Sequence, residues 1–182
     1  MIEIRIHGRG GQGAVIASKV LATAVFREGR YVQSFPSFGV ERRGAPVTAF
    51  TRIDERPIRL RCQIYEPDHL IVLDPTLLEA VDVTAGLKPG GWILINSGRP
   101  PRSFALPSHY RVATVDASAI AIRHRLGPAS APIVNTAILG AFARVTALVG
   151  IEALSDAVRE IVPVKQEDNV AATREAHDEV QA

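Results

Sequence analysis

The sequence predicts an α/β fold: a Rossmann-like, mostly parallel sheet with helices on both faces, an inserted β-hairpin and a helical C-terminal part. Three observations carry this expectation. Short apolar segments alternate with helical ones up to Pro132, the rhythm of strand–helix–strand units. The segment His69–Leu73 is apolar almost without interruption, as in a strand buried on both faces. Beyond Pro132 only helical periodicity remains, over roughly 132–149, 151–162 and a polar stretch after 166.

The elements follow in order. Ile2–His7 reads as the first strand, and a glycine-rich turn leads into a helix from about Ala14 to Arg27, closed by Gly29. Tyr31–Phe35 is the second strand and His69–Leu73 the third. Asp74 is placed to cap a helix with Pro75 at its first position. Trp92–Ile95 and Tyr110–Val115 complete the strands, and Asp116 is placed to cap the next helix. Between strands two and three the rhythm breaks. Val47–Ile53 and Ile58–Cys62 both alternate, and Asp54-Glu55-Arg56-Pro57 carries turn chemistry, which predicts an antiparallel hairpin. Its polar face holds Arg52, Arg59 and Arg61, read either as a solvated face or as a partner-docking edge.

Composition narrows the function. The chain is 182 residues long, the size of a single domain spanning 1–182, with no linker to divide it. A single cysteine, Cys62, makes no internal disulfide and holds no iron–sulfur cluster, so cluster chemistry is expected on another polypeptide. The histidines show no metal-ligand spacing, and a net charge of +2 is too mild to argue for nucleic acid. No signal-like or membrane-spanning segment is read, so a soluble, cytoplasmic protein without membrane contact is expected. No Ser/His/Asp arrangement is legible, and no catalytic or metal residue is assigned.

Gly8-Arg9-Gly10-Gly11-Gln12-Gly13 satisfies GxGxxG between a strand and a helix. Glycines there permit a tight turn and close backbone approach, while the helix N-terminus offers N–H groups and a positive dipole end. Phosphate is the natural ligand, and a packing turn without a ligand is the plain alternative. A dinucleotide fold also needs an acidic residue about 20 residues further on, at the end of strand two. That region reads Val32-Gln33-Ser34-Phe35-Pro36, with no carboxylate.

A second motif, Ser37-Phe38-Gly39-Val40-Glu41-Arg42-Arg43-Gly44-Ala45-Pro46, joins a hydroxyl, a carboxylate and two guanidiniums. Such a loop lies over the carboxyl ends of the strands, where arginine can clamp a phosphate or carboxylate. A surface ion-pair loop is the alternative.

The pairing of GRGGQG with SFGVERRGAPV resembles the gamma subunit, or gamma domain, of pyruvate:ferredoxin oxidoreductase and related 2-oxoacid:acceptor oxidoreductases. Leu70–Asp74, Asn96-Ser97, Asn135–Gly140 and the pair Lys165…Asn169 extend the likeness over essentially the whole chain. Val40 and Ala45 depart from the family's usual proline and glycine, which touches loop shape more than ligand type. The small subunit of indolepyruvate oxidoreductase shares the glycine turn, but the second motif is more similar to the pyruvate-type branch.

The resemblance implies a non-redox subunit that is not catalytic alone. Thiamine diphosphate and [4Fe-4S] clusters are then carried by alpha, beta and delta-type partner subunits, and electrons leave to ferredoxin or to an NAD-reducing subunit. Coenzyme A takes the acyl group from the decarboxylated 2-oxoacid. On this chain the resemblance points to coenzyme A at Gly8, Gly10, Gly11, Gln12 and Gly13, with Ser37, Arg42 and Arg43 as polar and charged partners. Two other readings stay open: a purely structural subunit without a ligand, and a stand-alone nucleotide-dependent oxidoreductase.

Overall fold

A computed structural model describes residues 1–37 and 43–182. The strands are β1 (Ile2–Arg9), β2 (Tyr31–Pro36), β3 (Pro46–Asp54), β4 (His69–Val72), β5 (Trp92–Asn96) and β6 (Arg111–Val115). The helices are α1 (Ala14–Arg27), α2 (Leu77–Ala80), α3 (Ala117–Arg123), α4 (Ala137–Thr146), α5 (Ile151–Ile161) and α6 (Gln166–Glu179), with one 3-10 turn at Pro101–Ser103. One sheet holds all six strands in the order β2-β3-β1-β4-β5-β6. β1, β4, β5 and β6 pair in parallel, whereas β3 runs antiparallel to both β1 and β2. The α/β class is as the sequence predicts, and the expected mostly parallel sheet is found with one strand, β3, running against the others.

Alternation along β1 explains the two faces. Ile4 and Ile6 are fully buried and meet Ile71, Leu94 and Ala113 under α1 and α3 to α6. Each of the isoleucines and Leu94, moved from water to this core, stabilises the fold by roughly 1.5–3 kcal/mol. On the opposite face Leu70, Val72, Ile93 and Ile95 pack against Leu77, Val83 and Leu87. That face carries only the one-turn α2, the 3-10 turn and irregular chain, so the long helices lie on one face and not on both. Its two connections, residues 73–91 and 97–110, carry Gly86, Pro89-Gly90-Gly91 and Pro100-Pro101, residues of low helix propensity.

The inserted hairpin is also built differently. β3 forms as expected, but its partner is β2, joined through the second motif, and residues 58–62 form no strand. Gln33 intercepts this segment instead: its Nε2 donates to the carbonyls of Leu60 at 2.9 Å and Ile58 at 3.4 Å. Asp116 caps α3 as predicted, accepting from Ala119 N at 2.8 Å. Asp74 does not cap α2. Its Oδ1 accepts from the backbone and hydroxyl of Thr76, and the helix starts only at Leu77. α4 begins at Ala137, later than residue 132, because Pro132–Thr136 forms a connection against the glycine turn.

The C-terminal helices close tightly. A Cβ on Gly140 of α4 would lie 1.7 Å from the carbonyl oxygen of Thr173 in α6, so the two helices approach to backbone contact. Lys165 and Asn169 lock this junction. Asn169 accepts from Thr136 Oγ1 at 2.7 Å and donates to the Lys165 carbonyl at 2.9 Å.

On the second face β1 buries charge. Arg5 donates to the carbonyls of Val83 and Ala85 at 2.8 and 2.7 Å, and its Nε donates to His7 Nε2 at 3.0 Å. Burial, reinforced by the Arg5 guanidinium, pushes the His7 imidazole down to about 3. The unfolded chain therefore binds a proton near pH 6.5 that the folded chain refuses until about pH 3. Stability is expected to fall as pH drops through that window, with a slope of up to about 1.4 kcal/mol per pH unit from this one group. Urea unfolding from pH 7 to 4 measures it, and His7→Gln, which keeps an acceptor without the proton site, is expected to flatten the slope.

Candidate ligand site at the glycine turn

The turn after β1 is shaped by two left-handed glycines, Gly11 at φ 96° and Gly13 at φ 78°. Gly13 is the residue preceding α1 and brings no capping side chain. Its position is closed from above, because a Cβ there would stand 2.3 Å from Asn135 Nδ2. That amide instead donates to the Gly13 carbonyl at 3.3 Å. Gly8 is also crowded, with Leu73 3.1 Å from a would-be Cβ, so strand and turn pack closely.

The second motif returns to the same place. Gly10 N donates to Ala45 O at 2.9 Å and Gly44 N donates to Gly10 O at 3.0 Å, so Arg43 lies in a bridge beside Gly10. Arg9 ties the turn to the end of β4. Its guanidinium donates to Asp74 Oδ2 at 2.8 Å, Thr76 Oγ1 at 2.7 Å and Gly44 O at 3.1 Å. Partial burial pushes the Asp74 carboxyl up, but hydrogen bonds from Thr76 and Arg9 outweigh it and hold the group below its ordinary value. Gln12 folds back on its own turn, accepting from Arg9 N at 2.7 Å.

Beneath the turn opens a cavity of about 390 Å³, lined by Gly11, Gln12, Gly13, Leu73, Asn96 and residues 130–135. It lies at the carboxyl ends of β1, β4 and β5, where an open α/β sheet presents its ligand crevice. Asn96 is fully engaged: it donates to Leu73 O and Ser118 Oγ, and accepts from Ser118 N. Asn135 is not. It is buried, and its Oδ1 has no hydrogen-bond partner among the described residues. The first turn of α1 carries no acidic residue, so its leading N–H groups and dipole face the crevice uncompensated.

Comparison with known proteins bears on this geometry. The sequence profile of the pyruvate ferredoxin/flavodoxin oxidoreductase family matches residues 3–179. The chain belongs to this family. It is 54% identical over 180 residues to the pyruvate/ketoisovalerate oxidoreductases common subunit gamma of Thermococcus kodakarensis, covering 97% of this chain and 95% of that one. It is 52% identical over 181 residues to the pyruvate synthase subunit PorC of Methanocaldococcus jannaschii, covering 99% and 97%. The pyruvate oxidoreductase subunit PORC of Thermotoga maritima superposes with a TM-score of 0.83 at 35% identity, over 99% of this chain and 97% of that one. A 2-oxoglutarate:ferredoxin oxidoreductase chain from Magnetococcus marinus shares the fold alone, with a TM-score of 0.73 at 23% identity over 97% of this chain and 30% of that one.

Within this family member the predicted site residues fall into three groups. Gly10, Gly11, Gln12, Gly13 and Arg43 are brought together, with Gly8 as the strand residue beneath them. Ser37 stands apart, donating from its N–H to Thr48 O at 2.8 Å while its hydroxyl accepts from Gln63 at 3.4 Å. Arg42, with Phe38–Glu41, lies outside the described residues. Asn135, Asn96 and Ser118 join the site without having been singled out as ligand groups. The Asn135–Gly140 motif carried a family likeness, but no local spacing signals that its first residue packs onto a turn 122 positions earlier.

The turn's construction has a measurable consequence. Gly13→Ala combines a left-handed backbone with a clash against Asn135 and is expected to cost about 2–4 kcal/mol. Gly11→Ala meets open space and carries only the backbone strain, about 1 kcal/mol. Paired urea denaturation curves check both the order and the gap.

Proposed function

We propose that this chain is the gamma subunit of a multi-subunit 2-oxoacid:acceptor oxidoreductase, and that its glycine turn helps to bind coenzyme A. The observation that carries the ligand reading is the open N-terminus of α1 beside the cavity. Uncapped N–H groups, no nearby acidic residue in the helix and two left-handed glycines form a cradle suited to phosphate. Arg43 is exposed and its backbone is bridged to Gly10, and we assign its positive charge to the rim of this cradle. The orphaned Asn135 Oδ1 supplies an acceptor for a ligand donor, relieving a burial cost of about 1–3 kcal/mol.

Coenzyme A supplies the thiol that accepts the acyl group, and that chemistry is assigned to partner subunits carrying thiamine diphosphate and iron–sulfur clusters. The role of this chain is to hold and orient the anionic end. Arg9 and Gln12 serve the turn itself, because their side chains are engaged by Asp74 and by the Arg9 backbone. The site in this reading is therefore backbone N–H groups, Arg43 and Asn135, with Arg42 and the hydroxyl of Ser37 as further proposals. We propose alpha, beta and delta-type partners, a ferredoxin or NAD-reducing acceptor, and a cytoplasmic location. Among the described residues no helix is long and apolar enough to cross a membrane.

A stand-alone dinucleotide enzyme is the weaker reading. β3 pairs along the full length of β1, so the end of β2, where such a fold holds ribose, is displaced by one strand from the glycine turn. In the assembled complex, Arg43→Ala is expected to raise the apparent KM for coenzyme A roughly tenfold, the loss of one charge-assisted hydrogen bond. The kcat at saturating coenzyme A is expected to hold. Steady-state kinetics against coenzyme A check this, and an unchanged KM rejects the role.

A further inference from the structure

Residues 58–62 have the alternation of a strand, Ile58-Arg59-Leu60-Arg61-Cys62, yet join no ladder. The carbonyls of Ile58 and Leu60 both turn to the Gln33 amide, as carbonyls two residues apart do in an extended chain. No N–H of residues 58–62 finds a hydrogen-bond partner among the described residues. This stretch lies beside β2, an edge strand of the sheet. Between them runs an open cleft of about 680 Å³, floored by Phe35 and Arg52 and walled by Ile58–Arg61.

The charge of the cleft is one-sided. Arg52 is 1% exposed and already compensated by Glu3 at 2.7 Å. Arg59 and Arg61 are exposed, and neither joins any ion pair of the described residues. Apolar groups accompany them: Leu60 is 44% and Tyr65 69% exposed. An extended run with free N–H groups among the described residues, two guanidiniums outside any ion pair and exposed apolar side chains has the character of half a strand–strand interface.

We propose that this cleft receives an extended, acidic segment from another subunit of the complex. Its backbone bonds to the main chain of residues 58–62, and its carboxylates meet Arg59 and Arg61. The identity of the partner as a subunit rests on the gamma-subunit reading above, but the surface is separate from the glycine turn. Main-chain pairing gives the contact its register, and the arginines select acidic over basic segments.

Amide hydrogen exchange, read by mass spectrometry on the isolated chain and on the assembled complex, tests this. Residues 58–62 are expected to exchange at near-unprotected rates in the chain alone and at least about tenfold more slowly in the complex. The double variant Arg59→Glu/Arg61→Glu is expected to fold with wild-type melting behaviour, lose that protection and weaken subunit retention roughly ten- to hundredfold. Arg59→Lys/Arg61→Lys is expected to keep it. Equal exchange in chain and complex overturns the proposal, as does full protection in the charge-reversed variant. Protection of the isolated chain that grows with its own concentration overturns it in favour of a second copy. Failure of the wild-type chain to enter any complex sinks the gamma-subunit reading and this surface with it, whereas wild-type assembly without protection sinks the surface alone.

Discussion

The contact between Gly13 and Asn135 joins the first turn of the chain to its C-terminal helices, and the crevice edge of the sheet is organised around it. Gly13 is left-handed where α1 starts, and it must lack a Cβ because Asn135 Nδ2 occupies that space. Asn135 is held there by its neighbours on the C-terminal side. Thr136 is hydrogen-bonded to Asn169, Asn169 returns to the backbone of Lys165, and Gly140 lets α6 touch α4 at backbone distance. The helical C-terminal part is thus the clamp that sets the height of the cavity, and not an appendage to the sheet. Shifting α4 by a fraction of an ångström would change both the turn and the crevice.

Charge is distributed between two separate tasks. At the turn, Arg9 is paired with Asp74 and hydrogen-bonded to Thr76 and Gly44, so it stiffens three connections at once. Such a partly buried pair is a geometric brace more than a store of free energy, since desolvation offsets much of its attraction. On the second face, Arg5 is committed to the carbonyls of Val83 and Ala85 and to His7, whose Nε2 accepts from it. Arg59 and Arg61 differ from all of these in having no such partner among the described residues. Arginines with internal partners mark structure, and those without mark surfaces available to something else.

Much of the fold was legible because it depends on local pattern. The buried strands declared themselves by apolar runs or alternation, α1 by its glycine boundaries and α3 by its Asp116 cap. Residues 58–62 misled because alternation reports a strand's two faces and says nothing about whether a neighbour is present to pair with. The helices expected on both faces did not all form: between β4 and β6 the chain is rich in glycine and proline, of low helix propensity, and holds only α2 and a 3-10 turn. At the site, the glycine turn and the return of Arg43 to it were readable from motifs. Asn135 was not, since its place beside the turn depends on a contact spanning 122 positions that no periodicity encodes. Gln12 illustrates the opposite case: a motif residue whose polar side chain serves the turn's own geometry.

The decisive measurement is a structure of the assembled complex with coenzyme A bound. Phosphate oxygens are expected within hydrogen-bond distance of the backbone N–H groups at Gly13–Ile16, with Arg43 beside them and Asn135 Oδ1 accepting from the ligand. Coenzyme A held entirely by other subunits, with the glycine turn packed against a protein surface, would contradict the ligand role and leave this chain a structural support.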